Sequence, residues 1–225
     1  MGNGRLLLGL SLLCLSACGS GTPALAQHVV LTVARLPAVS TSGIDRVELT
    51  ISGAGISTPL VTTLGRASGN SWGAVVSGVP AGPQRTFQAS AYDATGAILY
   101  QGQALVDVVA ESSLQLTLVL QDPADVPSVN LPQIQSVEAS QGRVPPSTAV
   151  TLRVSAAGGA GETLGVSWSS DCAGATDAGS FSDAAAANTQ WTAPAQQPVT
   201  CAISVKVAGS GGSSISVELP IQVSN

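Results

Sequence analysis

Apolar and polar residues alternate with a period of two along much of this chain. Val47, Leu49 and Ile51 share one parity and Arg46, Glu48, Thr50 and Ser52 the other, while Ile44 opens the run. A period of two puts one face in a core and the other in water. Leu114, Leu116, Leu118 and Leu120 form a second inward set, with Gln115, Thr117 and Gln121 expected mostly outward. Val119 breaks that rule and is expected near a neighbouring domain. The same reading places strands near 29–35, 59–64, 72–77, 86–92 and 98–109, seven in all up to residue 121. No stretch of about ten residues carries helical periodicity, so the class is all-β.

The pattern stops and restarts. Residues 122–133 hold Pro123, Pro127 and Pro132, and proline cannot donate to a central ladder. This stretch is read as a semi-rigid linker that lets a second module project from the first. Strands resume at 134–139, 149–156, 163–169, around Phe181, and at 188–192, 200–207 and 213–223. Val150, Leu152 and Val154 alternate with Thr151, Arg153 and Ser155. Two tandem β-sandwiches are therefore expected, at 28–121 and 134–225, with seven strands each. Gly78-Val79-Pro80-Ala81-Gly82, Asp93-Ala94-Thr95-Gly96 and Gly209 to Gly212 punctuate the strands as turns.

The N-terminus follows another logic. Arg5 precedes the apolar run Leu6 to Leu13, and Leu15-Ser16-Ala17-Cys18 follows it. A charged start, a short apolar core and small residues form a secretory signal. The run, about ten residues, falls short of the about 20 that span a bilayer. Leu15-Ser16-Ala17-Cys18 resembles the lipobox of bacterial lipoproteins, which implies removal of 1–17 and lipidation of Cys18. The partner would then be a membrane, reached through the acyl chains on Cys18, with 18–27 as a flexible tether. Gly19 in place of an aspartate favours, by the same resemblance, the outer membrane. Cys14 follows the bulky Leu12 and Leu13 and does not fit. Ala24-Leu25-Ala26 offers a rival, ordinary cleavage site, which would release a soluble periplasmic or secreted protein starting at Gln27.

Two further resemblances concern the modules. The GVPAG turn, Ala91-Tyr92-Asp93-Ala94-Thr95-Gly96 and Leu99-Tyr100-Gln101-Gly102 look like prealbumin-like domains, similar to transthyretin and the carboxypeptidase regulatory module. Trp168, Cys172, Gln190-Trp191-Thr192-Ala193-Pro194 and Cys201 resemble an immunoglobulin-like domain of bacterial lipoproteins. Here Trp168 precedes Cys172, unlike the order in antibody domains. Neither resemblance brings a catalytic residue.

Composition narrows the chemistry. The 225 residues are 44% hydrophobic but 3% aromatic and 9% charged, a globular chain with an aliphatic core. The formal charge is −5, and removing Arg5 with the signal leaves seven basic residues against thirteen acidic. An acidic balance argues against nucleic acid. With Cys14 and Cys18 assigned to export, Cys172 and Cys201 remain, and an even pair in an exported chain reads as a disulfide. If the third and sixth strands of the second sandwich are neighbours, Cys172, just past one, meets Cys201, at the start of the other.

Catalytic and metal candidates are few. The single histidine, His28, and the single lysine, Lys206, lie far apart in sequence and are expected on outward strand faces, so no general base stands out. Asp171, Asp177 and Asp183 could gather around calcium, against the simpler expectation of solvated loop carboxylates. Trp72, Trp168 and Trp191 could form a sugar platform, against the simpler expectation of core. No catalytic residue, cofactor or metal is expected. The chain reads as a non-catalytic envelope protein with a binding or structural role, or as a carbohydrate- or peptide-binding module of a larger complex.

Overall fold

The alternation at 46–52 becomes strand β2 (Arg46–Ser52), in which Val47, Leu49 and Ile51 are wholly buried. In this computed structural model residues 28–35 are described by their backbone alone, and residues 43–67, 71–123 and 132–225 in full. The first unit holds β1 (His28–Arg35), β2, β3 (Leu60–Arg66), β4 (Trp72–Val76), β5 (Gly82–Tyr92), β6 (Ile98–Val108) and β7 (Ser113–Leu120). Their order is β7-β1-β4-β3-β2-β5-β6. Every pair is antiparallel except β1 with β7. The ribbon closes on itself where Gln101 and Gln121 exchange both backbone hydrogen bonds, at 2.9 and 2.8 Å. Phe87, Leu116, Leu118 and Leu120 fill the space enclosed.

Two turns of this unit have clear causes. The β5–β6 turn is held by Asp93, whose carboxylate accepts from Thr95 Oγ1 at 2.7 Å and from the amides of Thr95 and Ala97 at 2.9 Å. These bonds, that of the Thr95 hydroxyl foremost, hold the Asp93 carboxyl below its ordinary value. The turn before β5 wraps Arg85, a buried guanidinium that donates to the carbonyls of Pro80 (3.0 Å), Ala81 (2.7 Å) and Ala54. Gly82, at φ +153°, leaves room for that side chain.

The second unit has eight strands, one more than expected: β8 (Gln133–Ala139), β9 (Arg143–Val144), β10 (Ala149–Ala157), β11 (Gly165–Cys172), β12 (Ser180–Phe181), β13 (Asn188–Thr192), β14 (Val199–Ala208) and β15 (Ser214–Val223). One sheet runs β12-β13-β10-β8 and the other β11-β14-β15-β9. Trp168, Trp191, Ile203 and Leu219 pack in the core they share. The added strand β9 is two residues long, too short for any periodicity to show. It arises because the chain, after β8, changes sheet and pairs parallel with β15. The expected class, all-β with tandem sandwiches, is the one observed.

The junction differs from expectation. Of the stretch 122–133, residues 124–131 lie outside the described residues, but the strands on either side pair directly. β7 and β8 are antiparallel, with Leu116 opposite Glu138, Thr117 opposite Val137 and Leu118 opposite Ser136. The second module therefore does not project on a spacer; both modules share one eleven-stranded sheet. The cause lies in β7, whose seven residues from Leu114 to Leu120 are all buried. Its leucines enter the first core and Val119 enters the second, as its break in the alternation foreshadowed. Gln115 and Thr117, expected outward, are buried on the Val119 face because the second module covers it. The Gly142 amide donates to the Ser113 carbonyl at 2.9 Å. A side chain at Gly142 would collide with the Gln115 amide.

Candidate functional site

Where β8 leaves the first core, the sheet changes character row by row. Residues directly opposite one another share a face, so Leu116, Glu138 and Arg153 form one row and Leu118, Ser136 and Ser155 the next. Leucine on β7 thus gives way to carboxylate, guanidinium and hydroxyls on β8 and β10. An irregularity in the β8–β10 register makes this possible. Ser155 pairs with Ser136 and Ala156 with Ile134, leaving Gln135 as an extra residue. Such a bulge inverts the alternation, so Ile134 enters the second core while Ser136 and Glu138 face away from it. The Ser155 hydroxyl and the Gln135 side-chain oxygen lie 2.9 Å apart, within a hydrogen bond.

This polar face floors a cleft of about 560 Å³ between the modules. Its wall is β6, through Gln101, Gln103 and Leu105, with Gln88 of β5 behind. β6 crosses close to β7 because residue 102 is glycine; a Cβ there would stand 2.5 Å from the Val119 carbonyl oxygen. Ligand clefts in proteins commonly measure about 300–1,000 Å³. Burial pushes the Glu138 carboxyl up to about 7; Arg153 pulls it down and Asp107 raises it further. Among the described residues Glu138 makes no salt bridge or hydrogen bond. The cleft thus offers amides, hydroxyls, one guanidinium and one carboxyl near neutrality, a set suited to hydrogen-bonded recognition.

Sequence reasoning did not find this site. Its signal was the polar parity of Ser136, Glu138, Arg153 and Ser155, which reads as an ordinary wet face until the first module is set over it.

The residues singled out in the sequence lie elsewhere. Cys18, with the expected signal and tether at 1–27, lies outside the described residues. Cys172 and Cys201 form a disulfide and stand directly opposite each other on β11 and β14, Cα atoms 4.0 Å apart. Cys172 is the last residue of β11 and not just beyond it, because Asp171 and Cys172 continue the ladder with Ala202 and Cys201. Asp171, Asp177 and Asp183 do not converge. Asp177 accepts from the Gly179 amide and Asp183 from that of Ala185, each at 2.9 Å. Among the described residues no three His, Cys, Asp or Glu side chains form a metal cluster. Trp72, Trp168 and Trp191 are buried, so they make no sugar platform; the indole N–H of Trp168 donates to Ala186 and that of Trp191 to Ala178. His28 opens β1, and Lys206 is exposed on β14. No helix among the described residues is long and apolar enough to cross a membrane.

No family model matches the chain, and no curated protein matches it. Solved structures do. A leucine-rich repeat protein from Bacteroides thetaiotaomicron is 12% identical, with a TM-score of 0.32 over 88% of this chain and 25% of that one. A DUF3823 family protein from Parabacteroides merdae is 10% identical, with a TM-score of 0.26 over 88% of this chain and all of that one. The fibronectin(III)-like modules of Clostridium thermocellum CbhA are 13% identical, with a TM-score of 0.28 over 90% and 92%. Likeness at this level carries no functional argument.

Proposed function

We propose that this chain is a lipid-anchored protein of the bacterial cell envelope with a non-catalytic binding role, held at the outer membrane through Cys18. The observation that carries the reading is Leu15-Ser16-Ala17-Cys18 directly after a short apolar run. The cysteine thiol is the acceptor for a diacylglyceryl group, and small residues before it admit the signal peptidase. One acyl chain binds membranes marginally, whereas two or more anchor stably. The fused sandwiches support a display role, since a continuous sheet presents the inter-module cleft as one piece. A non-catalytic reading is supported by the make-up of that cleft, where neither the one histidine, His28, nor the one lysine, Lys206, is among the residues that line it beside Ser136 and Ser155.

Metabolic labelling with a clickable fatty acid tests the anchor. Label on the wild type that vanishes in Cys18→Ser supports it, and label that persists in Cys18→Ser contradicts it. A second reading rests on Ala24-Leu25-Ala26: cleavage there gives an unlabelled, soluble protein whose N-terminus, read by mass spectrometry, is Gln27.

A further inference from the structure

β6 is the last strand of the eleven-stranded sheet, and β5 covers one of its edges. On the other edge the amide and carbonyl of Gln101 both bond to Gln121. Backbone groups of the same parity point the same way along a strand, so the amides and carbonyls of Gln103 and Leu105 also point away from β5. Among the described residues they have no backbone partner. This open edge borders the cleft floored by Ser136, Glu138 and Arg153. Exposed edges are templates for pairing with another chain. Nothing blunts this one at Gln103 or Leu105: neither residue is charged or proline, and the β5–β6 register is regular from Arg85 to Ala91.

We infer that the cleft binds an extended peptide segment of a partner protein, which adds as a strand to β6 at Gln103 and Leu105 and places a basic side chain against Glu138. Backbone pairing supplies affinity and the flanking side chains supply selectivity. Charge favours a basic residue. Glu138 lacks a bonded cation, Asp107 adds a second negative charge nearby, and Arg153 offsets only one of the two. The acidic whole, at −5, steers basic segments toward it. Leu105, 53% exposed, provides apolar surface beside the docked strand. This names the ligand class for the binding role proposed above and does not depend on the lipid.

The test uses the full mature chain, isotope-labelled, in detergent micelles, so a failed anchor assignment leaves its readout intact. The probe is the acetylated, amidated peptide Thr-Val-Lys-Val-Thr. Amide shifts at Gln103 and Leu105 on titration are the expected result. N-methylation of the peptide at the pairing positions should weaken binding about tenfold through loss of hydrogen bonds. Glu138→Gln should weaken the lysine peptide about two- to fivefold and leave a norleucine analogue unchanged. The inference is overturned if those amides do not shift, if the N-methylated peptide binds equally well, or if cellotetraose shifts the cleft amides and the peptide does not.

Discussion

Thr117 on β7 lies directly opposite Val137 on β8, and around that pair two sandwiches become one sheet. The same strand sends leucines into the first core and Val119 into the second, so neither module has β7 to itself. Thr117 is 1% exposed, and its hydroxyl has no hydrogen-bond partner among the described residues. A stranded buried hydroxyl forfeits its bonds to water. Thr117→Val keeps the shape and removes the hydroxyl, so it should raise stability by about 1 kcal/mol in urea denaturation. A loss of that size would show that the hydroxyl is bonded.

Arg85 ties the turn before β5 to the β2–β3 loop through three backbone carbonyls. Arg85→Met strips those buried carbonyls of their donors and should cost about 3 kcal/mol. Arg85→Lys should recover little of it, since an ammonium cannot match the planar fork. Chemical denaturation of both variants checks this, and a lysine variant as stable as wild type would refute the fork argument.

Glu138 makes stability depend on pH. Its folded-state value, about 7, lies above its ordinary 4.5, so the folded state binds the proton more tightly than the unfolded one. The stability tied to that proton is complete below about 4.5 and is lost as pH climbs through about 7. Glu138→Gln should therefore match wild type at acid pH and exceed it at pH ~8 by about 1–2 kcal/mol, after discounting for solvent contact. Thermal melts across the window test this; equal pH profiles for the two proteins would contradict it.

The bridge between Cys172 and Cys201 spans 29 residues, among them β12 and β13. Closing a loop of that length stabilises a fold by roughly 3–4 kcal/mol in the chain-entropy model. Replacing both cysteines with serine should lower the melting temperature of the second module by a corresponding amount, read through Trp168 and Trp191 fluorescence. Free thiols at both positions, found by non-reducing mass spectrometry of the protein, would contradict the bridge.

Most strands were legible because burial on one side leaves a period of two, as at Val47, Leu49 and Ile51 or Val150, Leu152 and Val154. Even the junction left a trace in Val119. What the pattern could not convey was the partner of each edge. Gln115 and Thr117 look outward in any single-module reading and are buried only because the second module covers that face of β7, with Gly142 against the Gln115 side chain. The cleft was hidden for the same reason, since Glu138 and Arg153 become a floor only once β6 stands over them. Prolines 123, 127 and 132 led to the expectation of a spacer, yet the strands that flank the stretch pair directly with each other.

The buried face of β7 and the cleft both follow from the β7–β8 pairing. Residual dipolar couplings of the chain in one alignment medium measure it directly. A single alignment tensor that fits residues 43–67, 71–123 and 132–225 together is the predicted result. Two different tensors, one for each module, would contradict it.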